Sequence, residues 1–269
     1  MMLTLKYILL AVLQGVTEFL PVSSSGHLVL FGAIAGFTGE ENVSLGILLH
    51  AGSLFAIVAF YFQVLVGFFK RDQLKLLLMV IAGSVPAGIA GVAIKLSGLD
   101  DTLFGNPIAV ALAFWVTATL LRMTSKPKLA AKCEPVELKK ISLKQALIVG
   151  FVQAFAILPG ISRSGSTIAS GVLCGIKRED AATFSFLLAT PAICGAILLE
   201  ILKAYKGGIT VQGDWLALAA AVVVSAAVSY ISLKFLVNIV KRGKLVWFSW
   251  YLYLAGAAVM LLAFKGFFR

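Results

Sequence analysis

Glu18 lies in the stretch QGVTEFLPVSSSGHL, Gln14 to Leu28, inside the first apolar segment of the chain. A carboxyl in such a setting must be paired, protonated or used, and by default it marks a functional site. Gln14 stands four residues earlier, on the same helical face. Two oxygen-bearing side chains so placed suit a hard cation such as Mg²⁺, which keeps several waters and takes its other ligands from substrate oxygens. His27 is an ordinary general acid or base near neutral pH, with polar packing as its bland alternative. Ser23, Ser24 and Ser25 either cap a helix restarting at Gly26 or supply a nucleophile. A restarting helix also aims free N–H groups and a positive dipole end at whatever fills the gap before it.

A second polar block, LPGISRSGSTI, runs from Leu158 to Ile168. Arg163 keeps its charge in any protein environment and so requires an anion. That anion is either Glu18 or a ligand. Ser162, Ser164, Gly165, Ser166 and Thr167 surround the arginine with donors suited to phosphate oxygens, which favours phosphate. His50, in LLHAGS, has no charged neighbour in sequence and reads as a polar packing residue.

The elements that carry these blocks are apolar. The chain has 269 residues, 60% hydrophobic and 13% charged, a balance outside soluble globular usage. An all-α polytopic membrane protein is expected. Six runs are long enough to cross a bilayer as helices: Ser44 to Phe69, Leu76 to Ile94, Thr102 to Leu121, Ala181 to Leu199, Trp215 to Leu233 and Leu245 to Phe264. Two others, Tyr7 to Phe37 and Ala146 to Ile176, are interrupted by Pro, Gly and serine clusters and are expected to be re-entrant helix–loop–helix segments. No cleavable signal peptide is expected, because the first apolar stretch carries the polar block. Cys133, Cys174 and Cys194 fit neither a disulfide framework nor a zinc site. The net charge of +11 is explained by topology and anionic lipid, and nucleic acid is not an expected partner.

A shift of 139 residues places Gln14 on Gln153, Ser23 to Gly26 on Ser162 to Gly165, and Gly32 and Gly36 on Gly171 and Gly175. The chain thus reads as a first repeat over 1–125, a linker over 126–144 and a second repeat over 145–269. Each repeat holds one re-entrant segment and three spans. Three spans between the copies make the second inverted relative to the first. Fifteen Lys and Arg then fall on the side of the Lys-rich linker and six on the other, so the linker is expected in the cytoplasm and both termini outside. Inverted repeats with interrupted helices meeting near the midplane are a transporter-like architecture. The GxxxG spacings at Gly32/Gly36 and Gly171/Gly175 allow helices to approach closely, within a monomer or across a homodimer.

QGVTEFLPVSSSGHL together with LPGISRSGSTI resembles the two signature motifs of the bacitracin-resistance type of undecaprenyl-pyrophosphate phosphatase, and the span pattern extends the resemblance over essentially the whole chain. The resemblance implies an enzyme of the bacterial inner membrane. It would remove the terminal phosphate of the C55 polyprenyl pyrophosphate released by cell-wall polymerisation, with its site open to the periplasmic face and a divalent cation, Mg²⁺ or Ca²⁺, as cofactor. It also implies roles: Gln14 and Glu18 as the acidic motif, Ser24 as its serine, His27 as its histidine, and Arg163 as phosphate ligand beside Ser162 and Thr167. Many members carry Glu where this chain has Gln14, so the cation would be held with one fewer negative charge. The nucleophile is Ser24 or a water, with His27 moving the proton in either case. Two other classes stay open on the residues themselves: a transporter of an anion or phospholipid, and a non-catalytic lipid binder.

Overall fold

The computed structural model describes residues 2–35, 39–97, 106–125, 135–205 and 215–267. Among these the chain is built from eleven α-helices. In order they are α1 (Met2–Phe19), α2 (Ser24–Ala35), α3 (Gly39–Phe60), α4 (Phe62–Gly67), α5 (Leu74–Ser97), α6 (Pro107–Met123), α7 (Leu143–Phe155), α8 (Arg163–Leu173), α9 (Arg178–Tyr205), α10 (Trp215–Lys241) and α11 (Val246–Phe264). Moving Ser24, Gly39 and Pro107 on by 139 gives 163, 178 and 246, the first residues of α8, α9 and α11.

Among the described residues, four helices contain apolar stretches long enough to cross a membrane: Leu74–Ile94, Arg178–Leu199, Trp215–Lys241 and Val246–Phe264. The protein is therefore an all-helical membrane protein. Many large apolar side chains face outward, as a lipid-facing surface requires, while others such as Phe19, Phe114, Phe184 and Phe186 fill the core. On α5, Leu78, Ile81, Val85, Ile89 and Val92 are all exposed, at helical spacing along one face.

Two of the six expected spans are shorter as helices. The run Ser44 to Phe69 is interrupted at Tyr61, whose backbone leaves the helical region at φ −102° and ψ 19°, so that α4 begins anew. Within the run expected from Thr102, α6 begins at Pro107, where the side chain of Asn106 accepts from the backbone N–H of Ile108 at 2.9 Å. Residues 102–105 lie outside the described residues, as do Gly36, Cys133 and residues 126–134 of the linker.

Close backbone approach fixes the packing. A Cβ on Gly150 of α7 would lie 2.1 Å from the carbonyl oxygen of Gly83 on α5. A Cβ on Gly52 of α3 would lie 2.6 Å from the carbonyl oxygen of Val222 on α10. Ser225 donates to the carbonyl of Leu49 at 2.9 Å, and Ser53 and Ser229 lie 3.0 Å apart, so α3 and α10 run in the same direction. Trp115 donates to the carbonyl of Tyr253 at 3.2 Å and Arg122 lies over the ring of Trp250 at 4.8 Å, so α6 and α11 run antiparallel.

Of the GxxxG glycines in the second half, Gly171 does bring helices together, its virtual Cβ standing 3.0 Å from that of Ala181. Gly175 has a different task. At φ +85° it ends α8, with its N–H bonded to the carbonyl of Val172 at 3.0 Å and that of Ile176 to the carbonyl of Gly171 at 3.0 Å. That is the double closure of a Schellman cap, which a residue with a Cβ adopts only at a cost.

Candidate functional site

The two interrupted segments meet at their breaks. Residues 20–23 separate α1 from α2, and residues 156–162 separate α7 from α8. A Cβ on Gly165 would stand 3.0 Å from the Cβ of Pro21, and one on Gly26 would stand 3.1 Å from the Cα of Gly160. Gly160 holds φ +92°, and a side chain there would meet the Val110 carbonyl oxygen at 2.7 Å. Small residues thus let four helix ends converge without filling the space between them.

Glu18, on the last turn of α1, is buried at this junction with 6% exposure. Four donors surround its carboxylate. Gln14 Nε2 donates to Oε2 at 3.0 Å, the bond expected of an i, i+4 pair on one helix face. Ser24 Oγ donates to the same oxygen at 2.7 Å. His50 Nε2, from α3, lies 3.1 Å from Oε2. Arg163, the first residue of α8, donates Nη2 to Oε1 in an ion pair. Of the two anions considered for Arg163, Glu18 is thus in place. A second donor is left over: Arg163 Nη1 is buried and has no hydrogen-bond partner among the described residues. Buried donors are almost always bonded, so a buried, unpartnered guanidinium nitrogen is a place for an anion.

The serines divide their work. Ser23 is the only non-glycine residue with positive φ among the described residues, at 69°, and its Oγ accepts from the Gly26 N–H at 3.3 Å. It caps the restart and lies 3.3 Å from Ser25 Oγ. Ser162 is the N-cap of α8, accepting from the Gly165 N–H at 3.1 Å, while its own N–H donates to Thr117 Oγ1 at 3.0 Å. Ser164 Oγ donates to the carbonyl of Leu20 at 3.3 Å and so ties one break to the other. Thr167 donates to the carbonyl of Arg163 at 2.7 Å and lies 2.5 Å from Ser185 Oγ on α9. Ser162, Ser164, Gly165 and Thr167 are all buried, and the three hydroxyls among them are engaged within the fold. In this geometry they shape and hold the loop that presents Arg163.

His27 stands apart from the carboxylate. Its Nδ1 lies 2.8 Å from the carbonyl oxygen of Ser23 and its Nε2 2.6 Å from the hydroxyl of Tyr251 on α11. Its ring is flanked by Phe114 at 5.3 Å and Tyr251 at 5.8 Å between centroids. The residue bonded to Ser24 is Glu18, so the expected transfer of the serine proton to His27 does not match the contacts present. Two partners were invisible to pattern reading. His50 carried only its own identity as a signal, and Tyr251 none.

A divalent cation would find two oxygen-bearing side chains here. Gln14 Oε1 is buried without a hydrogen-bond partner, next to the Glu18 carboxylate. No cluster of three or more His, Cys, Asp or Glu side chains occurs among the described residues. A cation held by these two side chains would take its remaining ligands from water and from a bound anion.

A helical membrane protein with an acid, a serine and an arginine converging at two broken helices belongs to the class of intramembrane enzymes and carriers that handle anionic groups. The family model described as "Bacitracin resistance protein BacA" matches residues 7–258. The chain is 37% identical over 260 residues to an undecaprenyl-diphosphatase of Halothermothrix orenii, covering 96% of this chain and 97% of that one. It is 39% identical over 258 residues to one from Rhodopirellula baltica, with 96% and 97% coverage. A relative from Bacteroides thetaiotaomicron with the same name is 38% identical over 267 residues, with 96% and 98% coverage. The chain belongs to the BacA family.

Proposed function

We propose that this protein is an integral membrane phosphatase that hydrolyses undecaprenyl pyrophosphate to the monophosphate and inorganic phosphate. It thereby recycles the lipid carrier of peptidoglycan synthesis and confers bacitracin resistance. The relatives are named for this activity. The observation that carries the reading to these residues is the contact of Ser24 Oγ with Glu18 Oε2 at 2.7 Å, on a carboxylate whose other oxygen is paired with the guanidinium of Arg163.

A nucleophile hydrogen-bonded to a base, with a cation positioned for the oxygens of the transferred group, is the arrangement that phosphoryl transfer needs. Ser24 gives its proton to Glu18 as Oγ bonds to the terminal phosphorus. The bridging P–O bond breaks, and undecaprenyl phosphate leaves with that proton. Water, deprotonated by Glu18, then attacks the phosphoserine and releases inorganic phosphate as Ser24 Oγ takes up a proton again. Arg163 turns its donors to the phosphoryl oxygens, with Ser162, Ser164, Gly165 and Thr167 holding its loop. Ser23 and Ser25 shape the restart that presents Ser24. The cation would be held by Gln14 Oε1 and Glu18 together with substrate oxygens, where it would offset the charge of the diphosphate.

The full architecture within this reading is six spans and two re-entrant segments related by an inverted repeat, with a cytoplasmic linker. Both termini and the site mouth face the periplasm of the inner membrane. The charge partition supports this, as do the parallel course of α3 and α10 and the antiparallel course of α6 and α11. Those are the relative directions that this topology demands.

The test is release of inorganic phosphate from a polyprenyl pyrophosphate by the purified protein in detergent, with and without Mg²⁺ or Ca²⁺, beside Glu18→Ala and Arg163→Ala. Cation-dependent release abolished by both substitutions supports the reading. No release by folded wild-type protein overturns it in favour of an anion or lipid transporter.

A further inference from the structure

The imidazole of His27 is held at both ends, and the chemistry of its partners fixes which nitrogen carries the proton. A backbone carbonyl can only accept a hydrogen bond, so Nδ1, at 2.8 Å from the Ser23 carbonyl oxygen, must carry hydrogen. In the neutral ring Nε2 is then the lone-pair nitrogen, and the Tyr251 hydroxyl at 2.6 Å must be the donor to it.

Two features show that this arrangement is built rather than incidental. The Ser23 carbonyl is presented by a backbone at φ 69°, a conformation that costs a non-glycine residue energy and persists only where the surroundings enforce it. The same carbonyl also accepts the backbone N–H of His27 at 3.2 Å. At the other end, the Tyr251 ring lies against the imidazole with an interplanar angle of 12°, and Tyr251 is 46% exposed on α11. Tyr251 and Ser23 come from opposite ends of the chain, separated by 228 positions (251 less 23), and meet on one imidazole. Neither ring nitrogen is directed at the Glu18 carboxylate.

We propose that Tyr251 is a positioning residue of the active site, which locks His27 in the Nδ1–H tautomer through a hydrogen bond from its hydroxyl to Nε2. His27 thus has its basic nitrogen engaged by the Tyr251 hydroxyl of α11, while Ser24 is bonded to Glu18. The role is distinct from that of the carboxylate cluster and involves a residue outside both polar blocks.

The chain has only two histidines, so ¹⁵N-histidine labelling of the purified protein in detergent gives two ring patterns, and His50→Gln identifies the one belonging to His27. In alkaline buffer, where the ring is neutral, wild-type His27 should show a protonated Nδ1 and an unprotonated, hydrogen-bonded Nε2. In Tyr251→Phe, which keeps the stacked ring, the pattern should collapse towards a tautomer mixture and kcat should fall about tenfold with KM unchanged, as expected for loss of one hydrogen bond of roughly 1.4 kcal/mol. Adding Tyr251→Phe to His27→Gln should cost nothing further. A wild-type spectrum showing the Nε2–H tautomer overturns the proposal, even if no variant folds. So does Tyr251→Phe with both kcat and spectrum unchanged, or a full additional loss in the double variant. The kinetic arm rests on the phosphatase reading and the spectrum does not, so failure of one is distinguishable from failure of the other.

Discussion

Arg163 and Glu18, 145 positions apart in sequence, form a largely buried ion pair that closes the junction between two broken helices. Each sits at a helix end, Glu18 on the last turn of α1 and Arg163 as the first residue of α8. Removing one partner of a buried pair leaves an uncompensated charge and costs about 3–5 kcal/mol. Arg163→Ala should therefore lower the thermal unfolding midpoint in detergent as well as abolish phosphate release. The exchange Glu18→Arg with Arg163→Glu should recover part of the stability and none of the activity, because it moves the base away from Ser24. Recovery of turnover in the exchanged protein would show that only the pair matters.

Ser24 is the residue whose loss should separate binding from chemistry. Its Oγ contributes one hydrogen bond to Glu18, which retains donors from Gln14, His50 and Arg163. Ser24→Ala is expected to fold and bind the lipid diphosphate yet lose on the order of 10³-fold or more in kcat, the scale on which removal of an activated nucleophile is felt. Acid-quenched protein given substrate labelled in the terminal phosphate should carry label on Ser24. Turnover by Ser24→Ala near the wild-type rate would assign the attack to water instead.

Much of this site was legible because it is local. Gln14 and Glu18 share a face by their spacing of four, and the bond between them follows. Pro21 and Gly160 lie within the two breaks, although the first helix restarts at Ser24, two residues before the expected Gly26. Spacing could not show how the halves divide the work. At the 139-residue offset, Glu18, Ser24, His27 and His50 fall on Ile157, Arg163, Ser166 and Ala189, so the second copy keeps the loop, loses the acid, base and hydroxyl, and puts a cation where the first has its serine. Nor could it reveal His50 or Tyr251. These reach the site only through packing of α3 and α11, which leaves no periodic trace in a chain whose apolar positions face both lipid and core.

His50 accordingly carries a prediction of its own. Its Nε2 lies 3.1 Å from the carboxylate oxygen that also accepts from Ser24 and Gln14. Hydrogen bonds to a charged group contribute about 1.5–3 kcal/mol, so His50→Ala should lower kcat by roughly tenfold to a hundredfold. His50→Gln, whose amide can donate from a similar position, should restore most of it. Equal losses in both variants, with unfolding midpoints lowered in parallel, would reduce His50 to packing.

The breaks themselves should prove intolerant of small additions. Gly160 combines φ +92° with a virtual Cβ 2.7 Å from both the Val110 carbonyl oxygen and the Ala113 side chain. Gly160→Ala meets backbone strain of about 1–3 kcal/mol and a clash besides. Relief requires the second break to move away from α6, taking Ser162 from Thr117 and Arg163 from Glu18. Thermal unfolding and phosphate release should fall together, and Ala113→Gly in the same chain, which removes one of the two clashing groups, should recover only part of either.

Gln14 offers a gain rather than a loss. Its Oε1 is a buried acceptor without a hydrogen-bond partner among the described residues, on the same amide whose nitrogen donates to Glu18. Gln14→Glu replaces that amide by a second carboxylate and should strengthen cation binding. A tenfold tighter site corresponds to about 1.4 kcal/mol, a modest Coulomb term for charges a few ångströms apart. The Mg²⁺ concentration giving half-maximal phosphate release should accordingly fall about tenfold, while chelation with EDTA stops both proteins. Without cation, the extra carboxylate repels Glu18 and competes for Arg163, so the variant should unfold at lower temperature in EDTA than in Mg²⁺ by a wider margin than wild type. A variant with unchanged Mg²⁺ dependence would remove Gln14 from the ligand set and leave the ion to Glu18 and the substrate.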